Sequence, residues 1–410
     1  MFIVLRLKHN NQAFGFLGGK EVGAAGVTNL GLRDQIFALE WTQKYISAFG
    51  GDPARVVMYL VPSFLHAFSN NFISSGGVSA GAISSNLLLL SNKQNSNSLF
   101  RGAFMESGSI LKLPHAVDRQ SDYDGLVAAN NCSASSDTLA CLQQVPFESL
   151  MATVDNTADL FSYRSLSLTW QPYIDGDVIV QDPYISTSQG LYAKVPIMSG
   201  NCDDEGTVFS FSNQNITTDA EFLDYVNSNY LPASTQEQIT QIGHLYPEDP
   251  TQGSPFNTGT ANQLTPEYKR LAAFQGDLIF LAPRRFFLEH TAATQDAWSW
   301  LYKRGKDTQY GASHASDLAI WFPANTSNDT IAVDAMINFI NTLDPNRPAK
   351  NSTVKSSIFW PKWNIPSPAG SSSLLTFNDD RINITADNFR VEPREFLNNL
   401  LLGEAIREHE

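Results

Sequence analysis

Basic residues are in short supply: 27 Lys and Arg stand against 41 Asp and Glu, a formal net charge of −14 over 410 residues. Phosphate backbones are bound by clustered Lys and Arg, so this balance argues against a nucleic-acid partner. Also missing is any run approaching the ~20 apolar residues of a membrane-spanning helix. The apolar opening Met1-Phe2-Ile3-Val4-Leu5 is cut off by Arg6, Lys8 and His9. It is too short for a signal-peptide core and reads as a strand. No internal repeat, low-complexity tract or linker breaks the chain, so one globular domain over 1–410 is expected.

Cysteine is scarce too, with only three in the chain. Cys132 and Cys141 bracket the short polar segment NCSASSDTLAC and look like a small disulfide loop, while Cys202 stands alone in GNCDDEG. Against this poverty the chain is rich in N-x-S/T sequons, at Asn131, Asn215, Asn325, Asn328, Asn351 and Asn383. That density suits a secreted glycoprotein.

The pattern along the chain alternates strand-like and helix-like stretches. Residues 34–49 carry Ile36, Leu39, Trp41, Tyr45, Ile46 and Phe49 at spacings of three and four, an amphipathic helix stopped by Gly50-Gly51-Asp52-Pro53. Residues 80–90 form a second apolar helix, and 100–105 a buried strand. Further strands are expected at 195–200, 297–302 and 374–377, with helices at 219–227, 269–290 (kinked or broken at Pro283) and 331–343. This alternation is an α/β signature.

The chemistry concentrates at Gly77-Val78-Ser79-Ala80-Gly81. A G-x-S-x-G pentapeptide lets a strand turn sharply into a helix and leaves the serine hydroxyl exposed on the turn. The amide of Ala80, at the start of the following helix, then lies where a developing oxyanion would be stabilised. A serine hydroxyl needs a base, and the base needs an acid to orient it, in the chain order Ser, acid, His. Glu205 lies just beyond the 195–200 strand, with Asp203 and Asp204 as rivals, whose alternative reading is a solvated acidic loop. Of seven histidines, His314 in GASHASD fits best, in a small-residue loop after the 297–302 strand.

Taken together, AFGFLGGKEVGAAGVTNLGLRDQIFALEWTQKYISAFGGDP, GVSAGA, FRGAFMESGS, GNCDDEGTVFS and GASHASD resemble type-B carboxylesterases and lipases, the family of fungal lipases, sterol esterases and cholinesterases. The resemblance implies an α/β-hydrolase fold with Ser79 as nucleophile, Glu205 as acid and His314 as base, and it places Cys132 and Cys141 at the family's short disulfide loop. It implies esters with apolar acyl chains, including lipid or sterol esters, as substrates. No cofactor or metal is expected.

Three departures stand out. The family's upstream strands, Gly-Gly-Gly oxyanion loop and lid are not recognisable, which implies a weakened enzyme. Val78 stands where a Glu is usual, removing a carboxylate near the site. An atypical segment, residues 60–76, separates the strand that begins at Arg55 from the serine turn. A non-catalytic binding protein and a serine peptidase on the same fold are the competing classes.

Overall fold

The structure, a computed structural model, describes residues 12–59, 78–91, 99–323, 330–348, 358–364 and 372–409. The expected opening strand, the segment 60–76 and the sequons at Asn325, Asn328 and Asn351 lie outside the described residues.

The described strands form one sheet in sequential order: β1 (Val57–Met58), β2 (Gly102–Glu106), β3 (Ile197–Cys202), β4 (Ala297–Tyr302), β5 (Ser373–Phe377) and β6 (Ile382–Ala386). The first five are parallel, and β6 returns antiparallel along β5. The principal helices are α1 (Leu30–Tyr45), α2 (Ala80–Leu90), α3 (Asp219–Asn229), α4 (Tyr268–Gly276), α5 (Ala282–Thr291), α6 (Ile331–Thr342) and α7 (Val391–His409).

Parallel strands joined by helical crossovers are covered on both faces, so both side-chain sets must be apolar. β4 shows this. Ala297 and Leu301 join a core with Leu271 and Phe274 of α4 and Leu397 and Leu400 of α7. The alternate set, Trp298, Trp300 and Tyr302, packs on the other face with Phe339 of α6 and with Trp321 and Trp360. Each Leu or Phe among them taken from water contributes roughly 1.5–3 kcal/mol.

The helix expected over 34–49 forms as α1, followed by a 3-10 turn at Ile46–Phe49 that ends on Gly50 at φ 81°. Its buried face is Leu32, Gln35, Leu39, Thr42 and Ile46. Tyr45 and Phe49 are instead exposed, gathered around Trp41 at ring distances of 5.3 and 6.0 Å.

The strand interruption is visible in the register. Met58 pairs with Ala103, and Val78 bridges to Glu106. Twenty residues of chain therefore span three positions of β2, seventeen more than an unbroken strand would use. Val78 resumes the line that β1 begins, and α2 starts two residues later.

Candidate active site

Ser79, Glu205 and His314 lie on chain leaving the carboxyl ends of the resumed β1 line, β3 and β4, where chain exits give open loop space. Ser79 follows Val78 at the end of the resumed strand, with φ 59° and ψ −126°, a strained backbone for a residue with a side chain. The strain is held from both sides. The Ser79 amide donates to the Glu106 carbonyl at 2.9 Å, and the Ser79 carbonyl accepts from the Ile83 amide at 3.0 Å. Room for the turn comes from Gly108: a Cβ there would stand 2.5 Å from the Ser79 carbonyl oxygen and 2.8 Å from Ala82 Cβ. Ala80 is the first residue of α2, a position whose N–H has no acceptor within the helix and feels the positive end of its dipole.

Glu205 is fully buried, three residues past the end of β3. Its Oε1 accepts from the Cys202 amide at 2.8 Å and from Asn201 Nδ2 at 3.1 Å. Its Oε2 lies 2.6 Å from His314 Nδ1. With both oxygens committed, the carboxylate has one orientation, and it favours the tautomer with the proton on Nδ1. His314 Nε2 is then an acceptor. It is buried and has no hydrogen-bond partner among the described residues, Ser79 included. Bonds of this kind tighten when substrate is bound.

The imidazole is pinned between Phe209 at 5.0 Å and Phe280 at 4.7 Å, centroid to centroid. Phe280 reaches it from a π turn, Asp277–Leu281, that joins α4 to α5. The irregularity expected at Pro283 is thus placed one turn earlier, where the helix adapts to a proline that cannot donate to the preceding turn. Of the apolar side chains on this stretch, Leu278, Phe286, Phe287 and Leu288 belong to the sheet core, whereas Leu281 joins Phe209 and Phe280.

Asp203 and Asp204 do not form a solvated acidic loop; both are buried. Burial alone would raise Asp203, but Lys306, Arg390 and Lys303 outweigh it and hold its carboxyl well below the usual range. The carboxylate missing at Val78 has a neighbour across the sheet. Glu106, paired with Val78, is fully buried, accepts a hydrogen bond from Tyr59 Oη, and is pushed well above the ordinary carboxyl range by burial and then by Asp317. Asp317 itself is pushed up to about 6 by burial, with Trp300 Nε1 donating to it at 2.9 Å and the Cys202 thiol at 3.4 Å. The Cys202 thiol is likewise raised by burial, so it stays protonated.

The Carboxylesterase family model matches residues 2–379. The chain belongs to the carboxylesterase family. Among relatives, it is 35% identical over 399 residues to Lipase 4 of Diutina rugosa, covering 95% of this chain and 67% of that one. It is 34% identical to Secreted triacylglycerol lipase LIP1 of Gibberella zeae, covering 97% and 65%. The chain thus spans about two thirds of the length of these relatives. Of solved structures, Aspergillus niger EstA superposes with a TM-score of 0.75 at 23% identity, over 96% of this chain and 73% of that one. PNB esterase gives 0.70 at 21%, over 95% and 73%. Both share the α/β-hydrolase fold with this carboxylesterase-family chain, and the family and its lipase members support carboxylic-ester hydrolysis.

Within this carboxylesterase-family site, sequence reasoning missed Gly108, Phe209, Phe280, Glu106 and Asp317. Gly108 lay in the noted string FRGAFMESGS and Asp317 in GASHASD. Glu106 lay in FRGAFMESGS as well and Phe209 in GNCDDEGTVFS, whereas Phe280 lay outside every quoted string and is revealed by the π turn. The disulfide is present, Cys132 to Cys141, and among the described residues no helix is long and apolar enough to cross a membrane.

Proposed function

We propose that this chain hydrolyses carboxylic esters with apolar acyl chains through an acyl-enzyme on Ser79. The observation that carries the reading is the 2.6 Å bond from His314 Nδ1 to Glu205, with Nε2 left as a buried acceptor at the edge where the Ser79 turn emerges. Nε2 takes the hydroxyl proton as Ser79 Oγ attacks the ester carbonyl. Glu205 stabilises the resulting imidazolium, and the Ala80 amide donates to the oxyanion. His314 returns the proton to the departing alcohol. Water, deprotonated by the same nitrogen, then releases the acid and frees Ser79.

Phe209, Phe280 and Leu281 supply an apolar wall beside the base, and two of the relatives are named as lipases. Lipid esters are therefore the favoured substrates. The relative named as a secreted lipase and the disulfide support secretion. Asn131 and Asn215 are exposed and open to glycan, while Asn383 already accepts from Asn378 Nδ2 at 2.9 Å. The alternative of an inactive chain on this fold has no observation in its favour.

The test is hydrolysis of p-nitrophenyl butyrate and labelling by a fluorophosphonate, each compared with Ser79→Ala. Turnover and label lost together in Ser79→Ala support the reading. Equal turnover in parent and variant, or no label on the parent, overturns it.

A further inference from the structure

The acid loop and the base loop meet at one side chain. Asp204, fully buried and adjacent to Glu205, forms a parallel bridge with Ser313, and its amide donates to the Ala312 carbonyl at 3.0 Å. Its carboxylate binds in two directions. Oδ2 accepts from the Ala312 amide at 2.8 Å, two residues before His314, and from Lys306 Nζ. Oδ1 accepts from the Phe256 amide at 2.8 Å and Ser254 Oγ at 3.1 Å, which ties both loops to a third segment. The approach requires glycine at 311: its φ is +61°, and a Cβ there would stand 2.3 Å from Asp204 Oδ2.

We infer that Asp204 is a positioning residue for the base, setting the height of the His314 loop over Glu205 and so the length of the bond between them. This deepens the esterase reading and rests on it for the kinetic consequence only. Four donors converge on one carboxylate whose two oxygens address different segments, so the loop cannot shift without losing charge-assisted bonds on both. Lys306 reinforces the link by also binding Asp203 at 2.8 Å. Phe209 and Phe280 restrain the ring laterally, but among the described bonds to the backbone of the 311–313 segment, those of Asp204 come from the acid loop itself.

Two variants separate positioning from mere stability. Asp204→Asn keeps an oxygen for Phe256 and Ser254 but turns an amide toward the Ala312 N–H. Gly311→Ala leaves Asp204 intact and pushes the loops apart. Steady-state kinetics on p-nitrophenyl butyrate and the proton NMR signal of His314 Nδ1–H are read on folded protein, well below each variant's Tm. For both variants we expect kcat to fall about 10- to 100-fold at little-changed KM, and the downfield Nδ1–H signal to move upfield or broaden. A lowered Tm with kcat and the Nδ1–H signal unchanged overturns the inference. If the parent proves inactive, the NMR signal still decides whether Asp204 sets the Glu205–His314 bond, so failure of the esterase reading is distinguishable.

Discussion

Phe280 lies 4.7 Å from the His314 ring because a π turn, not a regular helix, carries it there. Regular winding through 277–281 would rotate that side chain by a fraction of a turn away from the base. Phe280 is 1% exposed and also stacks on Phe209 at 5.7 Å. Phe280→Ala is therefore expected to cost about 3–5 kcal/mol of stability and to lower kcat about tenfold. Urea denaturation and esterase kinetics check both, and an unchanged kcat in folded variant would detach Phe280 from the base.

Glu205→Gln keeps the size of the acid and removes its charge. The amide can accept from Cys202 or donate toward His314, but it no longer stabilises an imidazolium. A drop in kcat on the order of 10³- to 10⁴-fold with little change in KM is expected. A loss under tenfold would show that the orientation of the imidazole, not the carboxylate charge, is what matters.

How much of this was legible beforehand depends on how local each signal is. The Ser79 turn, α2 and β4 announce themselves within a dozen residues, and Glu205 and His314 follow from their place after strands. For Asp203 and Asp204, rivals for the acid, a solvated loop stayed open as the alternative because Lys306 lies about a hundred positions away. β6 and α7 went unseen for related reasons. β6 is only partly buried along its length, and α7 hides Arg394 against Asp387, so neither shows a clean apolar period.

Asp317 gives a pH signature. Burial raises its folded-state value from 3.8 to about 6, so the native state holds the proton more tightly than the unfolded chain does. Stability should fall as pH rises from about 4 to about 6, then level off. Asp317→Asn retains an acceptor for Trp300 and removes this dependence. Its stability relative to the parent should climb across that window by on the order of 2–3 kcal/mol. Urea midpoints at several pH values test this, and parallel curves for the two proteins would refute it.

The disulfide closes a nine-residue separation on a satellite cluster with Tyr123, Leu126, Val127 and Leu142. Replacing both Cys132 and Cys141 with Ser should remove roughly 2–3 kcal/mol. Esterase turnover at low temperature should be unaffected, because among the described contacts of Ser79, Glu205 and His314 none comes from that cluster. Reduced kcat at a temperature where the variant is fully folded would contradict that separation.

The pairing of Val78 with Glu106 has a consequence for how the Ser79 turn is aimed. Ser79 takes its backbone geometry from a neighbour already in the sheet, through the Glu106 carbonyl and the space at Gly108. Each of these contacts comes from a residue later in the chain than Ser79, so the hydroxyl is aimed from downstream, by the strand and helix that follow it.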